Sequence, residues 1–155
     1  MKKNLLSVAL LSLCCISFTA RAQSGETEFI NHADKCLNVM EQAALKMQVK
    51  GVAVVAFIPG DTTFTWTSKM KVVGAMSNES SNYLAVAYSK MGEMAETFQD
   101  SGSGVREPKK GEFGWQGGII KKVKAGYILA AFSGASGQQD FDIASEGLDQ
   151  LKSFF

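Results

Sequence analysis

Apolar residues recur at steps of three and four along three stretches of the chain, the spacing of an amphipathic helix. The first stretch ends at Gly51, directly after Lys50, as is typical of a helix C-terminus. The second spans about residues 82–98, and the third follows Ser136, a residue type that favours the N-cap. The three apolar faces comprise Ile30, Ala33, Leu37, Met40, Ala44 and Met47; Leu84, Ala87, Tyr88, Met91, Met94 or Ala95, and Phe98; and Phe141, Ala144, Leu148, Leu151 and Phe155.

Shorter runs of β-forming residues predict the strands of a sheet. Residues 51–58 are almost wholly apolar, as expected of a central strand that is covered on both faces. Residues 62–69 alternate between two sets of side chains, which predicts a half-buried antiparallel partner. Residues 71–76 form either a short third strand or a continuation of the second. Residues 118–123 and 127–133, on either side of a three-residue turn, predict a hairpin.

The predicted order of elements is α-β-β-(β)-α-loop-β-β-α, without an internal repeat or an interdomain linker. Adjacent antiparallel strands with flanking helices predict an α+β fold: an antiparallel sheet of about five strands with helices packed against it. The connection over residues 99–117 is long and rich in glycine, serine and charged residues, so it is either functional or mobile.

The N-terminal segment has the composition of an export signal. Two lysines precede the apolar run Leu5–Phe18, which is shorter than the roughly 20 residues of a membrane-spanning helix. Ala20-Arg21-Ala22 fits the small-x-small pattern of a cleavage site. We therefore predict that residues 1–22 are a signal peptide and that residues 23–155 form one domain, in the periplasm or secreted. A membrane-anchored helix and a lipoprotein are the alternatives. The polar start of the domain is predicted to be frayed.

The composition excludes several classes of function. Residues 1–22 carry three of the 16 basic residues and none of the 15 acidic ones, so the mature chain has a formal charge of −2. A nucleic-acid-binding protein needs a basic surface, and the sequence offers no polybasic segment for a membrane. We therefore expect neither nucleic-acid binding nor stable membrane insertion. Cys36 is the one cysteine left after cleavage, so its thiol is buried, ligated or paired between subunits.

His32, Cys36 and Met40 form the sharpest candidate site. They lie at i, i+4 and i+8 on the first predicted helix, so their side chains form one stripe that runs from the apolar face toward solvent. Imidazole, thiol and thioether groups are ligands for haem iron or copper, and His32 is the candidate metal ligand. In the alternative interpretation, which is the more common outcome of such spacing, Met40 is a core residue, Cys36 is half-buried and His32 is solvated.

The corner Ser133–Gly137, which contains Gly134 and Gly137, is a second candidate. It leads from a strand into the third helix, and free N–H groups at a helix N-terminus suit a carboxylate such as a haem propionate. Asp140, in the first turn of that helix, partly cancels the field. A turn from strand to helix requires glycines in any case, so the two interpretations are equally supported.

The long connection supplies a third candidate, Arg106, which lies in the same loop as Phe113 and Trp115. Cations beside aromatic rings suit a flat ligand with propionate groups, or a subunit contact. The alternative is a solvated loop whose aromatic rings pack into the core. On the second helix, Lys90 and Glu93 are one turn apart, and we interpret them as a surface ion pair.

Sequence motifs for catalysis are lacking. The chain has a single histidine, and it contains neither a nucleophile elbow nor an H-E-x-x-H or C-x-x-C motif. Whether the protein is an enzyme stays open from the residues, and no catalytic residue is assigned.

The C-terminal forty residues carry a family resemblance. Gly117-Gly118-Ile119-Ile120, Gly126, Phe132–Asp140, Ile143-Ala144 and Gly147-Leu148 are similar to the ending of the GlcG/HbpS-like family, the haem-binding domain also found at the C-terminus of PduO-type proteins. A weaker similarity covers residues 82–95, with Lys90 at the family's usual lysine. Ile119 stands where the family has a proline.

The resemblance implies a profilin-like fold and an exported protein that binds haem, or a related small molecule, without catalysis and as a homo-oligomer. Two other functions stay open: an oligomeric accessory or sensory module without a cofactor, and an enzyme that acts on haem or a small hydroxy acid. The candidate cofactor-binding residues are His32, Cys36, Met40, Arg106, Gly134 and Gly137.

Overall fold

The computed structural model describes the backbone of residues 3–155 and the side chains from Gln23 onward. The signal peptide and cleavage site predicted at residues 1–22 lie outside the residues whose side chains are described. Within the described part of the chain, no helix is long and apolar enough to cross a membrane. The elements are α1 (Lys3–Lys46), β1 (Gly51–Pro59), β2 (Thr67–Val73), α2 (Tyr83–Thr97), β3 (Gly118–Val123), β4 (Gly126–Ser133) and α3 (Gly137–Lys152).

The strands form one antiparallel sheet in the order β2-β1-β4-β3. β1 pairs with β2 on one side and with β4 on the other, and its side chains from Gly51 to Ile58 are all buried, as predicted for a central strand. The β3–β4 hairpin closes between Val123 and Gly126. The predicted α+β fold with an antiparallel sheet is confirmed, and the sheet contains four strands among the described residues rather than about five.

Helices cover both faces of this sheet. α1 and α3 pack on one face, where the core includes Phe57 and Phe132. α2 packs on the other face, against Val54 and Leu129. Because successive strand residues point to opposite faces, the apolar runs of β1 and β4 feed both cores at once. We call these the α1/α3 face and the α2 face.

The second strand begins later than predicted. The alternating stretch before Thr67 forms turns and bends, and Phe64 in it is 92% exposed. The Thr63 hydroxyl donates a hydrogen bond to the carbonyl of Ala95 on α2, so this stretch turns over the helix and leaves the sheet edge. Residues 71–73 continue β2, so the possible third strand is part of the second.

The first helix differs from prediction in its register and its start. Residues 23–28, expected to be frayed, are helical. Phe29 is fully buried against Phe57, whereas Ile30, assigned to the apolar face, is exposed. Both differences follow from contacts with the sheet face, which a periodicity within the helix does not reveal.

The ends of the other two helices follow the sequence signals. The Asn82 side chain accepts a hydrogen bond from the N–H of Ala85 and caps α2, while Phe98 closes it in the left-handed conformation. Ser136 caps α3 and forms a capping box with Gln139.

Candidate functional site

The stripe of His32, Cys36 and Met40 faces α3. Cys36 and Met40 are fully buried, so the expectation that the stripe reaches solvent is wrong for these two residues. The close approach depends on Gly147 of α3, because a Cβ atom there would overlap Met40 Cγ and lie 3.2 Å from Cys36 Sγ. Cys36 and Met40 therefore serve as core at the interface between two helices.

His32, at the end of the stripe, is covered by the C-terminus. Its ring stacks on Phe154 with the centroids 3.7 Å apart and the planes at 7°. Nε2 lies 3.3 Å from Glu28 Oε2, and Nδ1 is buried without a hydrogen-bond partner. His32 is thus held between an aromatic ring and a carboxylate.

The Cys36 thiol has low reactivity. Burial raises the pKa of Cys36 from 9.0 to about 12, so the sulfur is a neutral thiol at physiological pH. Metal ligation requires the thiolate. Within the part of the chain that the structure describes, no group of three His, Cys, Asp or Glu side chains is placed to hold a metal ion.

The Arg106 guanidinium is already hydrogen-bonded to carboxylates of its own loop and of α2. Its guanidinium donates to both oxygens of Glu112, at 2.6 and 2.8 Å, and to Glu96 Oε2 at 2.6 Å. The pKa of Glu112 falls from 4.5 to about 2, chiefly because of the hydrogen bonds from Arg106. Arg106 therefore holds the loop of residues 99–117 against α2, and its charge is already paired.

A cleft of about 580 Å³ opens beside this loop and is lined by residues of α2, of the loop and of the start of α3. The corner at the start of α3 forms one wall, and Trp115 of the loop lies on another. Gly134 and Gly137, two of the candidate residues from the sequence, line it, and Lys90 and Asp140 lie among its lining residues. We call it the Lys90 cleft.

Lys90 and Asp140 form a buried ion pair in this cleft. They are 2% and 3% exposed, respectively. Lys90 Nζ donates to Asp140 Oδ2 at 2.8 Å and to the carbonyl of Phe132 at 2.7 Å. The interpretation of Lys90 and Glu93 as a surface ion pair is therefore wrong: Glu93 is also buried, and its Oε1 accepts the N–H of Gly102 at 2.9 Å.

The backbone N–H groups of the glycine corner are in part already hydrogen-bonded to a carboxylate of this chain. Asp140 Oδ1 accepts the N–H of Ala135 at 3.0 Å. This N–H group is therefore not vacant for a bound anion. The corner instead holds Asp140 in place, so that its second oxygen reaches Lys90.

Gly117 permits the loop to close over the ion pair. Its φ is +126°, a conformation that favours glycine, and a Cβ there would overlap Lys90 Nζ and lie 2.5 Å from Asp140 Cβ. The backbone thus approaches the two charges as closely as a glycine allows, and it excludes water from that side.

Burial shifts both members of the pair toward their neutral forms. Desolvation lowers the pKa of Lys90 and raises the pKa of Asp140, and in each group this outweighs the opposing attraction of the partner's charge. A group in a cleft whose pKa is shifted by burial and by a specific charge partner is a candidate for a functional site.

Hydrogen-bond donors in the cleft remain unused. Ser133 is 4% exposed and lines the cleft, yet its hydroxyl has no partner among the described residues. The N–H group of Gly137, the first residue of α3, likewise has no acceptor in the described part of the protein. Lys90 uses two of its three N–H bonds. The residues that line the cleft therefore offer three kinds of donor: a hydroxyl, a backbone N–H group and an ammonium.

A haem does not fit the residues from which the sequence predicted a site. Two of the three stripe residues are sealed between α1 and α3, and the third is stacked under Phe154. Of the residue types that bind haem iron axially, the Lys90 cleft is lined by no histidine, cysteine or methionine and by one tyrosine, Tyr83. We assign no iron ligand.

No protein-family model matches the chain, and no curated protein matches it. Among solved structures, the crystal structure of the Ybr137w protein is similar, with a TM-score of 0.51 and 14% sequence identity. The match covers 81% of this chain and 79% of that one. At this identity the similarity supports the α+β fold alone.

The sequence reasoning missed the Lys90–Asp140 pair, the central feature of the cleft. The partners are 50 residues apart, and the nearer Glu93 offered a simpler partner for Lys90. One signal did exist: the apolar residues of the second helix flank Lys90 on both sides, and a charge inside such a face requires a buried partner.

Proposed function

We propose that this is an exported protein that binds a small molecule in the Lys90 cleft. The observation that carries the proposal is the buried ion pair among the residues that line the cleft. A buried ion pair is weak evidence of a purely stabilising role, because the cost of removing two charges from water can exceed the gain from their attraction. Here the pair borders an open space of about 580 Å³, within the usual range of ligand pockets.

The remaining lining residues support a ligand that is both flat and polar. Trp115 supplies an exposed aromatic ring at the cleft, and Phe113 packs against it with the ring centroids 4.8 Å apart. Ser133 and Gly137, which line the same cleft, supply unused donors. An aromatic side chain together with a few polar groups is typical of sites for small molecules.

The two tryptophans allow a direct test. Trp115 lines the cleft, and Trp66, the other tryptophan, lines a separate groove beside α2. In the Trp66→Phe variant, Trp115 fluorescence reports on the cleft; in Trp115→Phe, Trp66 reports on the groove. A titration with a panel of small 2-oxo acids, hydroxy acids and haemin should give a saturable change in the first variant and none in the second.

A blocking variant makes the test specific. Gly137 borders the cleft, and a Cβ there would lie 3.3 Å from Gln116 Cβ, so Gly137→Leu should fold while its side chain narrows the cleft. It should abolish the Trp115 response. Gly92→Leu, at a glycine with open space around it in the other groove, should leave the response unchanged. A response that survives Gly137→Leu, or that appears only through Trp66, would refute the cleft as the ligand site.

Self-association is a second candidate function, favoured by one surface. β2 is an edge strand, and Met70 and Val72 on its α2 face are exposed because α2 lies over the other strands. A homo-oligomer, with or without a ligand, would cover this strip. Light scattering tests it: Met70→Lys/Val72→Lys should lower the molar mass, whereas Leu45→Lys, at an exposed residue of α1, should not. A monomeric wild-type protein would exclude it.

A further inference from the structure

We propose that Lys90 captures its ligand covalently, as an imine with a small carbonyl compound that carries an acidic group. The inference rests on the proposed function, because the ligand must first enter the Lys90 cleft. It assigns the reacting atom, Lys90 Nζ, and the class of compound that the cleft accepts.

The geometry supplies an amine with an acid beside it. Lys90 Nζ has hydrogen-bond acceptors in two directions, Asp140 Oδ2 and the carbonyl of Phe132, which fix its position. Its third substituent position has no acceptor in the described protein, and Lys90 lines the cleft. Because Gly117 closes over the pair on one side, the proposed reaction requires the carbonyl carbon to approach Nζ from the side that lines the cleft.

Asp140 can move the protons that imine formation requires. The Lys90 ammonium transfers a proton to the Asp140 carboxylate, and the neutral amine forms a C–N bond with the carbonyl carbon. The amine then passes a proton to the oxygen, which gives a carbinolamine. Asp140 returns its proton to the hydroxyl group, the C–O bond breaks, and one water leaves. The iminium and the ionised Asp140 remain, so charge and atoms balance without another reactant.

The surroundings favour this chemistry. Removal from water lowers the pKa of Lys90 and raises that of Asp140, which favours the neutral amine and the neutral acid more than in water. Desolvated lysines of this kind are the ones that form Schiff bases.

The acidic group of the ligand is inferred from the unused donors. Ser133, almost fully buried and without a hydrogen-bond partner in the described chain, lines the same cleft as Gly137, whose N–H group is free at the start of α3. A hydroxyl and helix N-terminal amides together suit a carboxylate. Because the Asp140 carboxylate is already paired with the Lys90 ammonium, the Ser133 hydroxyl and the amides at the start of α3 are the groups that select for an anionic ligand.

Reductive trapping tests the inference on the intact protein. Glyoxylate carries an aldehyde and a carboxylate; acetaldehyde has a similar size and no charge. Each is incubated with the protein and cyanoborohydride near pH 6, where exposed lysines, with a pKa of about 10.4, are protonated. Peptide mass spectrometry then measures the modified fraction of each lysine, with exposed Lys46 and Lys110 as internal controls.

We expect glyoxylate to modify Lys90 at least about tenfold faster than Lys46 or Lys110, and faster than acetaldehyde does. Asp140→Asn, which keeps the shape but removes the proton carrier, should slow trapping at Lys90 by about 100-fold. Because the wild-type map alone locates the adduct, the test does not depend on the folding of a variant.

Three results would overturn the inference. Modification of Lys90 no faster than that of Lys46, with a Trp115 response to glyoxylate, removes the imine and leaves the ligand site standing. Equal trapping by acetaldehyde removes the acidic group. The absence of both the adduct and the Trp115 response to the whole panel removes the proposed function together with the imine.

Discussion

The α1/α3 face of the sheet and the Lys90 cleft both adjoin β4, yet their buried side chains differ in kind. On the α1/α3 face, side chains that bind soft metals in other proteins, Cys36 and Met40, are packed as core and sealed by Gly147. At the Lys90 cleft, Lys90 of α2 and Asp140 of α3, two charged residues of types that are rarely buried, line an open space. Residue type alone would have assigned these roles the other way round.

The comparison shows that the burial of a side chain must be interpreted together with the solvation free energy that the side chain loses. A thiol or thioether loses little when it is removed from water, so its burial needs no functional explanation. A buried ammonium and a buried carboxylate each lose roughly several kcal/mol of solvation free energy, even when they are paired. A protein that keeps such a pair beside a cleft is therefore a better candidate for ligand chemistry than one with a buried cysteine.

The largest expected effect breaks the ion pair of the Lys90 cleft. Asp140→Ala leaves the Lys90 ammonium without its counter-charge and the N–H of Ala135 without an acceptor, and it should lower the free energy of unfolding by about 3–5 kcal/mol. The double variant Lys90→Met/Asp140→Leu should recover much of this loss, since no charge is then buried. Urea denaturation measures both. A loss below about 1 kcal/mol in Asp140→Ala would mean that the pair is hydrated and not buried.

The reactivity of Cys36 tests the packing of the α1/α3 face. With its pKa raised from 9.0 to about 12, the thiolate population should be about 1000-fold below that of an unperturbed cysteine. A disulfide reagent such as Ellman's should therefore react with the native protein at least about 1000-fold more slowly than with the urea-unfolded protein. Rapid labelling under native conditions would show that α1 and α3 do not seal the thiol.

Overpacking the α1/α3 face should have an intermediate effect. The Cβ of Gly147→Ala overlaps Met40, and it should cost about 1–3 kcal/mol of stability. The matched control is Gly92→Ala on α2, where no atom lies within 4 Å; it should stabilise the protein by up to about 1 kcal/mol through helix propensity. Equal effects of the two substitutions would contradict the tight packing at Gly147.

The smallest effect concerns the loop that borders the cleft. In the folded state Arg106 lowers the pKa of Glu112 from 4.5 to about 2, so Glu112 stabilises the fold above pH 4.5, and this contribution is lost as the pH falls toward 2. Arg106→Met should make stability less dependent on pH between 4.5 and 2, as measured by thermal unfolding at several pH values. The same pH dependence in both proteins would contradict the Arg106–Glu112 pair.

Local features of the fold were predictable, and long-range ones were not. The hairpin between β3 and β4 and the Ser136 cap depend on neighbouring residues, so their signals lie within a few positions. The register of α1, with Phe29 inside and Ile30 outside, is decided by contact with Phe57 in β1.

The same limit applies to the site. Gly134 and Gly137 were chosen for a local reason, the turn into α3, and both line the cleft. His32, Cys36, Met40 and Arg106 were chosen by residue type, and contacts with α3, Phe154 and Glu112 decide their surroundings. Lys90 and Asp140 meet only when α2 and α3 dock on the sheet, so spacing along the chain carries no trace of their contact.

The most direct test of the ligand site maps binding over the Lys90 cleft and the α1/α3 face at once. ¹H–¹⁵N correlation spectra of the protein, recorded during titration with glyoxylate, report on every backbone amide. We expect saturable shifts at Gly134–Gln138 and at Trp115, with the amides of His32, Cys36 and Phe154 unchanged. Shifts that cluster around His32 and Phe154 and leave the corner before α3 unperturbed would place the ligand on the α1/α3 face and contradict the Lys90 cleft as its site.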